Sequence, residues 1–439
     1  MDFPNPDPGE TFPRVNTQLY GTTVPKSNHK AIDSDIKAPY NLLKTQPSQA
    51  PMNGFVEDYI SVCRQVLNRE PDYDDYKIIM QCFPPETVPV ISTLAKSFAV
   101  CDHWFCDVPS GTWSNRSFFH AAGSGGLVLN TPTSKWLKVK QETVFNRMIK
   151  HGISWNIYHD KRDPFPLTEL IHYPEIKGVF GQNVKNMEDF YHAVEQGKLP
   201  QYSFIEPRFF HDHNDQHPPI QTATAINGGP SSVLAGELLV HQVYDAIRRS
   251  DNLSGSNFQN TLLLITYDEH GGCYDHISPP STVSPDWQHA NHGEMGFAFN
   301  RLGLRVPAIV ISAYIEPGTV FSYPLQHTSL LKTMELKWNL GHLTQRDRTA
   351  PSLKGIFNRS EPRAQDNWPV TKPRPVTRST EENTNLHQPL NELQRIFVQH
   401  ARHLKIGVTR EAKEIGAMTV YEALVEFNEI KRDLGLLKK

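Results

Sequence analysis

The chain has 439 residues, of which 38% are hydrophobic and 21% charged, and a formal net charge of −3. That length buries one large core or two smaller ones, and the charge balance gives no footing for a nucleic acid: no basic run is interleaved with aromatics. The longest apolar runs are strand-length, far short of a membrane-spanning helix.

In chain order, Met1–Lys30 is rich in Pro, Asn and Thr and lacks the apolar stretch of a secretory signal. The chain as given is therefore expected in the cytoplasm, and secreted if Met1 is not its true start. Residues 1–50 read as irregular. Helical spacing predicts helices over Val56–Asn68, Thr87–Lys96, Trp113–Ala122, Thr143–Lys150, Met187–Gly197, Ser231–Arg249 and Ser329–Trp338. Strands are predicted over Ser97–Asp107, Ile153–Tyr158, Tyr202–Glu206, Thr261–Tyr267 and Val306–Ser312. This alternation argues for an α/β domain with a largely parallel sheet flanked by helices. Near Ala350 the composition turns to Pro, Arg, Thr and Asn, followed by helical patterns over Leu390–Leu404 and Arg410–Lys438. The expected division is an α/β domain over 1–350 and a wrapping segment with a C-terminal helical appendage over 351–439. Five cysteines (Cys63, Cys82, Cys101, Cys106, Cys273) include no Cys-x-x-Cys pair, so reduced core thiols are expected rather than a zinc knuckle or redox motif.

Four segments carry candidate chemistry. The apolar strand Thr261–Ile265 stops in Thr266-Tyr267-Asp268-Glu269-His270-Gly271-Gly272-Cys273-Tyr274-Asp275-His276. Open α/β sheets place their chemistry at such carboxyl ends, and adjacent carboxylates there are costly without a neutralising cation or proton. A solvated turn is the plainer reading of an Asp-Glu pair alone. Earlier, Val108-Pro109-Ser110-Gly111-Thr112-Trp113-Ser114-Asn115-Arg116 lies where a strand hands over to a helix. Its hydroxyls suit helix capping, or a nucleophile whose phosphate the helix N-terminus holds. His211, His213 and His217 crowd one loop, as metal ligands or as surface residues. Glu206 ends a strand, facing the site, paired with Arg208 or solvated. His327 precedes a helix that Thr328 or Ser329 caps, and either lines the pocket or serves as a structural hydrogen-bonding group.

The Thr266–His276 segment resembles the signature of the phosphoesterase family that holds the non-specific phospholipases C and bacterial acid phosphatases, proteins similar in fold to alkaline phosphatases. That signature reads Thr-Tyr-Asp-Glu-His-Gly-Gly-aromatic-Tyr-Asp-His; only Cys273 departs from it. The resemblance extends to Pro109–Arg116, to Asn214–Pro218 and to His327–Ser329, and spans most of the chain. It implies an alkaline-phosphatase-like fold with Thr112 as nucleophile and metal ligand. Asp268 and Glu269 become ligands of one divalent ion (Ca, Mg, Mn or Zn), and Asn115 the phosphoryl ligand. His217 becomes the general acid, with Arg116, His270 and His327 lining the substrate site. The implied reaction is phosphoester hydrolysis through a phospho-threonine. A phospholipase C-like diesterase acting on phospholipid at a peripheral membrane contact is expected ahead of an acid phosphatase-like monoesterase on small phosphoesters, with no protein partner. The family begins with Glu-Asn-Arg-Ser-Phe-Asp, whose Glu and Asn ligate metal, and this chain has no such segment. A truncated sequence, weakened metal binding, or a catalytically dead phosphate-binding scaffold is the expected consequence.

Overall fold

A computed structural model describes residues 4, 6–21, 49–179, 182–210, 213–217, 233–285, 293–375, 386–387, 389–390, 392–406 and 415–434. Its strands are β1 (Ala99–Val100), β2 (Trp104–Phe105), β3 (Trp155–His159), β4 (Val184–Asn186), β5 (Tyr202–Ile205), β6 (Leu263–Thr266), β7 (Ala308–Ile311), β8 (Thr319–Val320) and β9 (Leu325–Gln326). They form one sheet in the order β6-β7-β1-β8, a second in the order β4-β3-β5, and a β2-β9 ribbon. The pairs β1–β8, β2–β9, β3–β4 and β3–β5 are parallel. The sheets are thus mostly parallel and helix-flanked, as expected, with one exception: β7 runs antiparallel to both β6 and β1, in the register Ile265↔Ile309 and Ala99↔Val310.

Sequence dictates most of this locally. Strand β7 reads Ala-Ile-Val-Ile and is buried at every position, the pattern of a strand covered on both faces. Its neighbours Ala99, Trp104, Phe145 and Leu331 close the main core. The single strand expected over Ser97–Asp107 is instead split into β1 and β2. Asp102 accepts bonds from His103 Nδ1 at 2.9 Å and Ser322 Oγ at 3.0 Å, and such side-chain bonding turns the backbone out of the ladder. Residues 1–50 are not uniformly irregular either: Phe12–Tyr20 is a helix with Pro13 in its first turn, where a missing N–H costs nothing.

The C-terminal helices Glu392–Ile406 and Val420–Asp433 share a core with Trp113, Trp136, Phe165, Phe209 and Phe210. The expected appendage is therefore packed into the domain that carries Trp113. His400 lies edge-on to the Trp113 ring at 4.9 Å, with Nε2 bonded to the Leu170 carbonyl at 3.0 Å. Burial holds its pKa down to about 4. A histidine depressed in the folded state contributes stability above its unfolded pKa that is lost as pH falls toward the folded value. From about pH 7 to about pH 5, His400→Gln should lose about 2 kcal/mol less stability than the parent, measured by urea unfolding. Equal losses would refute the assignment.

Candidate active site

Strands β5 and β6 deliver their carboxyl ends to one place. Glu206 follows β5, Asp268 follows β6, and Arg116 bridges them: its NH1 lies 2.6 Å from Glu206 Oε2 and its Nε 2.9 Å from Asp268 Oδ2. Burial opposes the guanidinium charge, yet the two carboxylates outweigh it and hold the Arg116 pKa above its ordinary value. Glu206 is itself fixed by the Thr168 backbone N–H at 2.9 Å. The second terminal nitrogen of Arg116 has no partner among the described residues, leaving one edge of the guanidinium for an anion.

Past Asp268 the chain reverses sharply. Gly271 and Gly272 have φ of +61° and +65°, and a Cβ on Gly272 would sit 2.4 Å from Pro8 Cβ and 3.0 Å from the Gly9 carbonyl oxygen. Only glycine allows that approach, and it presses the Asp268–Gly272 turn onto the segment 7–10. This segment also meets the Val108–Gly111 loop, because Glu10 Cγ lies 3.4 Å from where a Cβ on Gly111 would stand. Asp7, Glu10 and His217 bring their ligating atoms within 4.8 Å of one another.

Thr112 is the first residue of the helix Thr112–Ala121, whose N-cap Gly111 contributes no side chain. Of the candidate capping hydroxyls, Ser110 Oγ donates to the Val128 carbonyl and Ser114 Oγ to the Gly111 carbonyl at 3.2 Å. The Thr112 hydroxyl has no partner among the described residues. It thus stands at a helix N-terminus with its oxygen uncommitted.

The other sequence-predicted residues divide. Asn115 is fully buried, its Oδ1 accepting from Val108 N at 2.9 Å and its Nδ2 donating to the carbonyls of Val108, Ser110 and Gly111 at 3.1, 2.7 and 3.2 Å. Its amide is spent on the Val108–Gly111 backbone, so here it positions that loop and is not free to hold a phosphoryl group. Both ring nitrogens of His270 already face protein groups. Its Nε2 bonds Gln18 Oε1 at 2.7 Å, its Nδ1 lies 3.3 Å from Glu269 Oε2, and its ring meets Phe55. His327 borders the site as an anchor: Nδ1 accepts from Trp104 Nε1 at 3.1 Å and Nε2 donates to the Asp268 carbonyl at 2.8 Å. Burial keeps it below its ordinary pKa and hence neutral. His217 faces Asp7, with Nε2 3.9 Å from Oδ2. His213 is buried against Gln394 and Asp215, away from the site, and His211 lies outside the described residues.

Glu269 Oε2 accepts from Gly271 N at 2.7 Å. Burial, then Glu269 and Asp107, raise the Cys106 thiol well above its usual range, so it stays protonated. Sequence reasoning missed Asp7 and Glu10. The signal was a pair of acids within Pro-Asp-Pro-Gly-Glu directly before a helix with Pro13 near its start.

The sequence model of the Phosphoesterase family matches residues 10–341. Non-specific phospholipase C3 of Arabidopsis thaliana is 33% identical over 424 residues, covering 91% of this chain and 71% of that protein. Non-specific phospholipase C6 of the same plant is 31% identical and covers 96% and 75%, and phospholipase C B of Mycobacterium tuberculosis is 26% identical and covers 65% and 57%. A solved protein of the alkaline phosphatase superfamily from Vibrio parahaemolyticus aligns with a TM-score of 0.35 at 12% identity, over 62% of this chain and 66% of that one. The chain belongs to the phosphoesterase family, whose members are hydrolases of phosphoric esters.

Proposed function

We propose that this chain is a metal-dependent, phospholipase C-like diesterase that works through a covalent phospho-threonine at Thr112. The observation that carries the reading is the uncommitted Thr112 hydroxyl at a helix N-terminus beside an excess of carboxylates. Glu206 and Asp268 flank Arg116, Glu269 follows Asp268, and Asp7 and Glu10 cluster with His217 on the segment pressed against the same turn, five carboxylates against one arginine. That imbalance, built of hard oxygen donors, fits a divalent cation. Thr112, Asp268 and Glu269 would hold it, with Glu10, Asp7 and His217 on the facing segment. Oxygen donors suit Ca, Mg or Mn, and the imidazole keeps Zn in range. When bound, the ion supplies charge neutralisation at the phosphoryl oxygens and favours the ionised Thr112 hydroxyl.

The chain's own residues do the rest. Thr112 Oγ attacks phosphorus, giving its proton to a neighbouring carboxylate, while the helix N–H groups and the open edge of Arg116 hold the phosphoryl oxygens. The bond to the leaving alcohol breaks as His217 donates a proton to the departing oxygen. Neutral His217 then takes a proton from water as it attacks phosphorus; the bond from phosphorus to Thr112 Oγ breaks, and the carboxylate that took the Thr112 proton returns it. Asn115 keeps the loop in place. The plant and bacterial relatives are named phospholipases C, which supports a phospholipid diester, met at a peripheral membrane contact, over a small monoester. The test is phosphocholine release from phosphatidylcholine, with an aryl phosphate monoester alongside. Chelation by EDTA should remove turnover and add-back of one divalent ion restore it. Turnover indifferent to EDTA would refute the metal. Preference for the monoester would recast the chain as a phosphatase, and folded protein inactive on both would favour a binding scaffold.

A further inference from the structure

The N-cap of the helix Thr112–Ala121 is Gly111, which has no side chain to bond the first turn. A residue from a separate segment does so instead: Asn130 Oδ1 accepts from Trp113 N at 3.1 Å. That one N–H is therefore spent and cannot reach a phosphoryl oxygen. The other end of the same amide is uncommitted. Asn130 is only partly buried, and its Nδ2 has no partner among the described residues. This nitrogen lies 3.5 Å from where a Cβ on Gly111 would stand, with Glu10 Cγ at 3.4 Å from the same point. The amide thus borders the residue before Thr112, beside the Glu10 that clusters with Asp7 and His217.

The segment that carries Asn130 is firmly held. Val128 and Leu129 both donate their N–H groups to Glu294 Oε2 at 3.0 Å. The Val128 carbonyl accepts from Ser110 Oγ, and the Leu129 carbonyl from Trp136 Nε1 at 3.0 Å. Val128 is also buried in one core with Val108 and Phe118. Every backbone N–H and C=O of residues 128 and 129 is engaged, while the Asn130 donor that they place bonds nothing. A group fixed in advance in this way loses little freedom when a ligand arrives. Hydrogen bonds in series also polarise one another, so the positive end of the helix acts outward through Asn130 to its Nδ2.

We propose that Asn130 is a substrate-binding residue whose Nδ2 donates to a phosphoryl oxygen, the task that Asn115, spent on the backbone, cannot perform. The inference rests on the reading of Thr112 as the attacking group, and it applies to a diester and a monoester alike.

Two variants separate this role from simple capping. Asn130→Asp keeps an oxygen for Trp113 N and loses the donor, whereas Asn130→Ala loses both. The probes are inorganic phosphate, titrated calorimetrically into the full chain with one divalent ion, and turnover of the substrate that the parent prefers. Both variants are expected to bind phosphate at least about tenfold more weakly and to turn over at least about a hundredfold more slowly. Only Asn130→Ala should lower the midpoint of urea unfolding. Weakening confined to Asn130→Asp would be the field of its new charge, and weakening confined to Asn130→Ala the loss of the cap; either result overturns the proposal. A folded parent that binds no phosphate overturns it too. A Thr112→Ala variant that turns over like the parent would instead remove the nucleophile, and the phosphate titration alone would then decide the role of Asn130.

Discussion

Replacing Thr112 by Ala is expected to abolish phosphocholine release, by on the order of 10³-fold or more, with the fold intact. The helix Thr112–Ala121 does not depend on this hydroxyl: its N-cap is Gly111, and Asn115 and Ser114 secure the preceding loop through other bonds. The substitution therefore removes the attacking oxygen and little else. Thr112→Ser keeps an oxygen in place and should retain turnover. Acid-quenched protein analysed by mass spectrometry should carry the phosphoryl group on residue 112 in the parent and in the Ser variant, and none in the Ala variant. An Ala variant that turns over like the parent would remove Thr112 from the chemistry.

Breaking the Asp107–Arg346 pair should cause the largest loss of stability of any single polar change. Both side chains are fully buried and joined at 2.7 Å. Arg346 also donates to the carbonyls of Asp107, Val283 and Phe299 and lies over the Phe118 ring at 4.9 Å. Asp107 accepts in addition from Thr328 N at 2.9 Å, where the helix behind His327 begins. Arg346→Met strands a buried carboxylate and should cost about 3–5 kcal/mol in urea unfolding. Adding Asp107→Asn to that variant should recover part of the loss, since no charge is then left alone. Asp107 precedes Val108, which Asn115 grips, and Thr328 follows His327, which holds Asp268. Activity should therefore fall with stability in both variants. Full stability in Arg346→Met would contradict the role assigned to the pair.

What sequence revealed and what it hid follow one physical line. The acid-rich end of β6 and the start of the helix at Thr112 were legible because each is local: an apolar run that stops in carboxylates and glycines, and a loop of small residues before a helix. Contacts between distant segments left little trace. Nothing around Asp7 and Glu10 announces that Gly272 and Gly111 will enclose them. Asn115 reads as a ligand until its amide is found spent on the backbone behind it. Three histidines in seven positions suggested a shared task, whereas Gln394, from the C-terminal helix Glu392–Ile406, draws His213 away. The strand over Ser97–Asp107 failed for a related reason, because β-propensity does not register a competing bond that Asp102 accepts from the Ser322 hydroxyl.

The placement of Trp113 bears on how the protein is made. This residue directly follows Thr112, and its indole is enclosed by Trp136 and by the imidazole of His400. A chain emerging from the ribosome presents Thr112, Asp268 and Glu269 well before His400 exists to close that wall. Domains fold as units during synthesis, and this core lacks a side until the helices Glu392–Ile406 and Val420–Asp433 arrive. The nascent polypeptide thus presents Thr112 before the helix that carries His400 is made, and the wall around Trp113 closes only once that helix has joined it. Cleavage ahead of Glu392–Ile406 would accordingly open the core around Trp113 without touching Thr112 itself.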